Sequence, residues 1–123
     1  MTQPSILIVD DDVDTREAMK FFLESHRYTV VVAANGAGAL GKLRADLRPC
    51  LILLDLLMPE KNGFQFRVEQ VLDPELSELP VAICSGDPDA SSSGTVLGAV
   101  AHLEKPIDVD KLLAVVRTYC GAR

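Results

Sequence analysis

The chain has 123 residues, 48% of them apolar, and 18 acidic against 12 basic side chains give a formal charge of −6. That length and apolar content suit a single domain, residues 1–123, which can fill its core without disulfides or a structural metal. The acidic balance argues against direct nucleic-acid binding, which needs a basic patch. No apolar run approaches the ~20 residues that cross a bilayer, and no secretory leader is expected from the opening Met-Thr-Gln-Pro.

Ser5 to Val9 is a continuous branched apolar run that stops at three aspartates. It reads as a strand buried on both faces, as in a parallel sheet. Thr15, Ala18, Met19, Phe22 and Leu23 then recur at helical spacing. Tyr28 to Ala33 is a second, β-branched strand. Asn35-Gly36 supplies a turn, and Ala39, Leu40 and Leu43 mark a helix weakened by Gly38 and Gly41. Cys50 to Leu54 is the third buried run and ends on Asp55. Beyond Pro59 and Asn62-Gly63 the spacing predicts a helix with Phe64, Val68, Val71 and Leu72 on one side, stopped before Pro74. Pro80 to Cys84 and Val100 to Leu103 are the fourth and fifth strands. Asp108 is placed to cap a last helix with the stripe Val109, Leu112, Leu113 and Val116. The serines of Ala90–Thr95 make a poor helix interior, so the fourth helix should be short or frayed.

Strand and helix alternate five times, with no repeat and no linker. That order implies an α/β fold, a parallel sheet covered on both faces and joined by right-handed crossovers. The cysteines Cys50, Cys84 and Cys120 are odd in number and widely spaced. They suggest neither a zinc site nor a disulfide framework. Cys50 and Cys84 read as buried free thiols, which points to a reducing cytoplasm.

In an open parallel sheet, ligands sit beyond the carboxyl ends of the strands. Asp10 and Asp11 follow strand one, Asp55 strand three, Ser85 strand four and Lys105 strand five. Three carboxylates gathered at one edge repel one another, and a hard divalent cation compensates best. Mg²⁺ prefers oxygen ligands and often takes one or two carboxylates plus a substrate phosphate. Lys105 adds a second positive charge and Ser85 a hydroxyl donor, which leaves Asp55 as the nucleophile of a phosphoryl transfer. Asp12 and Asp14 are read as helix-capping acids.

Four marks in order, Ile-Leu-Ile-Val-Asp10-Asp11-Asp12, Leu-Leu-Asp55-Leu-Leu-Met58-Pro59 with Gly63, Ser85-Gly86, and Lys105-Pro106, resemble the receiver domains of two-component response regulators. The resemblance spans essentially the whole chain. It implies a doubly wound (βα)5 flavodoxin-like fold, a five-stranded parallel sheet of order 2-1-3-4-5. It also implies a signalling phosphoacceptor, with no activity beyond its own phosphorylation and dephosphorylation. The donor would be a histidine kinase or a histidine phosphotransfer protein.

By position, Asp55 matches the phosphoacceptor. Asp11 matches a direct Mg²⁺ ligand, Asp10 an acid acting through a bound water, and Leu57 a ligand through its backbone carbonyl, with Mn²⁺ as a substitute ion. Ser85 matches the switch hydroxyl and Lys105 the phosphate-pairing lysine. His102 stands three residues before Lys105, where the family commonly has a Tyr or Phe that swings inward. Leu57 and Asp87 occupy positions that tune acyl-phosphate lifetime, and apolar Leu57 should slow hydrolysis. Output is expected through the face made by the fourth helix, the last strand and the last helix. The downstream protein partner stays unnamed, and a phosphorylation-linked homodimer stays open.

Two other readings stand beside this one. A haloacid-dehalogenase-type phosphatase could use Asp10–Asp12 or Asp12–Asp14, Ser85 and Lys105. However, Gly86-Asp87 then precedes the lysine and Asp55-Leu-Leu-Met-Pro has no role. A receiver-like binding module that is never phosphorylated is the other.

Overall fold

A computed structural model describes residues 4–56, 62–86 and 98–122. The strands are β1 (Ser5–Val9), β2 (Thr29–Ala33), β3 (Leu51–Asp55), β4 (Val81–Ser85) and β5 (Ala101–Glu104). The described helices are α1 (Val13–Ser25), α2 (Gly36–Arg44), α3 (Gly63–Leu72) and α4 (Val109–Cys120). All strand pairs are parallel, in the order β2-β1-β3-β4-β5. The stretch 87–97, where a frayed fourth helix was expected, lies outside the described residues, as do Leu57 and Asp87.

The three central strands are buried throughout because helices cover both faces, which is why their sequences are unbroken apolar runs. Side chains still alternate across the sheet. Leu7, Val9, Ile52, Leu54, Val81 and Ile83 pack with Ala39, Leu40 and Leu43 of α2 and Phe66 of α3. Ile6, Ile8, Leu51, Leu53, Ala82 and Cys84 pack on the other face with Met19 and Leu23 of α1 and Leu112, Leu113 and Val116 of α4. Val109, counted in that last stripe, is exposed.

Each described helix starts on a side-chain cap. Asp12 accepts from Asp14 N and Thr15 Oγ1, Asn35 from Gly38 N, and Asp108 from Asp110 N and Lys111 N. Asn62 and Gln65 form a reciprocal capping box, at 3.0 Å for Gln65 N to Asn62 Oδ1 and 2.8 Å for Asn62 N to Gln65 Oε1. Both Asn-Gly pairs are a cap followed by the first helical residue; for Asn35-Gly36 the sequence alone suggested a turn. Asn62→Ala removes one oxygen from this box and should lower the unfolding free energy by about 1 kcal/mol in urea denaturation.

α3 is oriented opposite to its apolar stripe. Phe64, Val68, Val71 and Leu72 are 37–76% exposed, while Gly63, Phe66, Arg67 and Gln70 are buried. A polar lock explains the inversion. Gln70 Nε2 donates to the carbonyls of Leu76 (2.9 Å) and Leu79 (3.0 Å), and its Oε1 accepts from Arg67 Nη1 at 2.8 Å. The Leu76 carbonyl also accepts from Leu79 N at 3.1 Å, and the buried Gln70 amide ties both carbonyls of the turn after α3 to the helix.

The cysteine expectation is corrected as well. Cys50 and Cys120 are joined by a disulfide, with Cα atoms 5.2 Å apart across 70 residues, and only Cys84 is free. A crossover helix runs back antiparallel to its strand. The last residue of α4 therefore returns to the amino edge of the sheet, where Cys50 precedes β3. Sequence spacing does not reveal that meeting. The cytoplasmic location lost its cysteine support with it.

Candidate functional site

The carboxyl ends of β1, β3 and β4 and the residue following β5 converge on one acidic pocket. Asp10 is the first residue after β1 and only 2% exposed, and Asp55 ends β3 at 6%. Asp11 next to Asp10 faces solvent. One carboxylate oxygen from each of Asp10, Asp11 and Asp55 lies within 4.8 Å of the others.

Lys105 reaches into this group from the end of β5. Its Nζ lies 2.9 Å from Asp10 Oδ2 and 3.5 Å from Asp55 Oδ2. Its backbone N–H donates to Ser85 O at 2.9 Å, which fixes the stem beside β4. Burial by itself would push the Lys105 ammonium down. The hydrogen bond to Asp10 and the charges of Asp55 and Asp10 outweigh that and hold it above its ordinary value. Ser85 is buried at the same edge.

Asp10 is oriented from several sides. Its Oδ1 accepts from Asp12 N at 2.9 Å, and Arg16 Nη1 donates to its carbonyl at 2.8 Å. Arg16 had no motif to announce it, since it acts six residues away through a backbone oxygen. Asp12 itself serves the helix, as expected. The Thr15 hydroxyl and then the Asp14 amide hold its carboxyl below the usual value. Cys84, one residue before Ser85, is pushed up to about 12, chiefly by burial, with Lys105 opposing and Asp10 and Asp55 adding to the rise. That thiol stays protonated and inert.

The pocket fits a hard cation. Mg²⁺ prefers oxygen ligands, and Asp10, Asp11 and Asp55 would hold it, directly or with one of them acting through a water. Three carboxylates facing one ammonium leave an excess of negative charge that a divalent ion would cancel.

His102 is set apart from the acids. It pairs with Ile83 across β4 and β5 and lines a cleft with Glu104, Pro106, Asp108 and Lys111. Its Nε2 is buried without a hydrogen-bond partner among the described residues.

Gly63 explains its own place among the sequence marks. A Cβ there would come within 2.7 Å of Asp55 O and of Leu56 Cα. The first turn of α3 therefore presses directly on the backbone that carries Asp55, with Gly63 N donating to Leu56 O at 3.1 Å.

Comparison with known proteins places the chain among receiver domains. The family model described as "Response regulator receiver domain" matches residues 6–117. Response regulator Rre1 of Synechocystis is 37% identical over 95% of this chain, which spans about half (52%) of that relative. Protein PilH of Pseudomonas aeruginosa is 34% identical, covering 90% of this chain and 93% of its own. A solved response regulator receiver protein from Pseudomonas putida superposes with a TM-score of 0.87 at 31% identity, over 96% of this chain and 98% of that one.

Proposed function

The chain belongs to the response regulator receiver domain family, and from that premise we propose that Asp55 is the residue phosphorylated, with Asp10 and Asp11 completing the cation site. The protein is a phosphoacceptor of two-component signalling. Membership in that family disfavours the phosphatase reading, and the intact set of Asp10, Asp11, Asp55 and Lys105 disfavours a module that is never phosphorylated. The observation that carries the assignment is Lys105 bridging two buried acids, Asp10 and Asp55, while Asp11 opens the same cluster to solvent.

A cation held there supplies positive charge to the phosphoryl oxygens during transfer. Asp55 Oδ attacks phosphorus as the donor leaves, forming an acyl phosphate. The product adds about −1.5 to −2 charge and three acceptor oxygens. Lys105 is within reach to leave Asp10 for those oxygens, and Ser85 stands at the same edge as a hydroxyl donor. Each charge-assisted bond contributes about 1.5–3 kcal/mol. Two or three of them approach the about 5.5 kcal/mol needed to carry a domain from mostly inactive to mostly active. Such bonds would shift a population between existing states.

The finer parts of the proposal follow by position. Leu57 contributes its backbone carbonyl to the cation and, with Asp87, sets phosphoryl lifetime. His102 is the inward-swinging switch, favoured by its buried Nε2 and its place on β5. The donor is a histidine kinase or phosphotransfer protein, in the cytoplasm where a kinase partner works. Output runs through the segment after Ser85, β5 and α4 to a protein partner or a second receiver. The chain acts on no separate substrate.

The test is incubation with Mg²⁺ and acetyl phosphate or phosphoramidate, read by intact mass. Wild type should gain one phosphoryl group, and Asp55→Asn or EDTA should abolish the gain. Equal gain in Asp55→Asn would move the acceptor elsewhere.

A further inference from the structure

We infer that Cys50 and Cys120 form a reversible redox site, a dithiol that a small-molecule disulfide of the glutathione class oxidises and the matching thiol reduces. The inference is independent of the phosphoacceptor reading. It stands on where the two sulfurs sit and on what holds them there.

The fold keeps the pair opposed without the sulfur–sulfur bond. Leu112, Leu113 and Val116 bury α4 against the sheet. The Tyr28 hydroxyl donates to Gly121 O at 2.6 Å, tying down the residue next to Cys120. The Cys50 N–H donates to Ser5 O at 2.8 Å, fixing the start of β3. Neither tie involves a sulfur, so reduction leaves two thiols facing each other on Cα atoms about as close as now. Two full hydrophobic clusters sit above and below the sheet. A core of that kind does not depend on a staple. In the cytoplasm proposed above, a disulfide the fold does not need has the character of a redox sensor.

Access is unequal. Cys50 is partly exposed at the amino edge of the sheet, whereas Cys120 is 8% exposed. The order of events follows from that. The Cys50 thiolate attacks one sulfur of the small disulfide and releases its first thiolate. The Cys120 thiolate then attacks Cys50 in the mixed disulfide and releases the second. Two electrons pass from the protein sulfurs to the small disulfide, and the two protons lost by the cysteines end on the released thiols. Cys84 takes no part, because burial keeps it protonated.

The bond joins the last turn of α4 to the entry of β3, the strand whose far end is Asp55. In the oxidised form a covalent tie is added to the Tyr28 bond at that turn, so oxidation further suppresses its fraying and clamps the C-terminal helix.

The full chain is equilibrated, without denaturant, in mixtures of reduced and oxidised glutathione, acid-quenched, alkylated after unfolding and weighed. Alkylated thiols should fall from three to one as the mixture turns oxidising, and return to three when reduced glutathione is restored. Cys120→Ser should hold one glutathione, at Cys50. Amide exchange at 117–121 should slow about tenfold or more on oxidation. Three thiols in every mixture would show that the pair never forms. One thiol that reduced glutathione cannot restore would make the bond a permanent staple. An unmodified Cys50 in Cys120→Ser removes the entry step, and unchanged exchange removes the clamp.

Discussion

Gly63→Ala should lower the unfolding free energy by about 3 kcal/mol and cut phosphoryl uptake at Asp55. In most helices this change stabilises, because alanine has the higher propensity by about 1 kcal/mol. Here the added methyl would meet Asp55 O and Leu56 Cα at 2.7 Å and Leu56 Cδ2 at 3.0 Å. Two of those atoms are backbone and cannot rotate away. Either α3 lifts or the end of β3 shifts, and overpacking of that kind costs about 1–3 kcal/mol. The upper end applies because Asp55, the last residue of β3, and Leu56, which follows it, are both buried. The control is Gly41→Ala, on the exposed side of α2 with nothing within 4 Å of its new methyl. It should stabilise by up to about 1 kcal/mol. Urea denaturation of the two variants would show opposite signs, and equal signs would contradict the close approach at Gly63.

Lys105→Met should destabilise the domain by about 2–3 kcal/mol in Mg²⁺-free buffer. Removing one partner of a buried ion pair strands the other charge. Here two are stranded, since Nζ faces both Asp10 and Asp55. The figure sits at or below the range for fully buried pairs because the Lys105 side chain is 25% exposed. Millimolar Mg²⁺ should stabilise the variant, because the ion favours the folded acidic cluster by mass action. Combining it with Asp10→Asn should recover part of the loss. The pH dependence follows the raised position of the Lys105 ammonium. A base raised on folding contributes its full stabilisation below its ordinary value, about 10.5, and loses it as pH climbs through the raised one. The gap between wild type and variant should therefore hold across neutral pH and close only in strong alkali. Thermal unfolding at several pH values, with EDTA, measures it. A gap that closes near neutrality would mean Lys105 is not held by these acids.

The amino-acid sequence alone determined the alternation of strand and helix, the parallel sheet, and the edge at which Asp10, Asp11, Asp55, Ser85 and Lys105 would meet. Those features are local or follow from chain order. An apolar run ending on aspartate marks a strand and its carboxyl end, and strand–helix alternation leaves few topologies. Asp108 as a cap was legible for the same reason, because a cap bonds within its own first turn.

What the tertiary structure decided was which way things face and what meets across the fold. The apolar stripe of α3 pointed inward by pattern. Gln70 faces inward instead, where its amide bonds the carbonyls of Leu76 and Leu79 and the Arg67 guanidinium, contacts that no periodicity encodes. Arg16 found the Asp10 carbonyl only once α1 had packed beside β1. Cys50 and Cys120 looked unrelated across 70 residues until an antiparallel return brought the end of α4 to the start of β3. Periodicity reports the face of an element, but a contact between distant elements depends on the register and direction in which they pack.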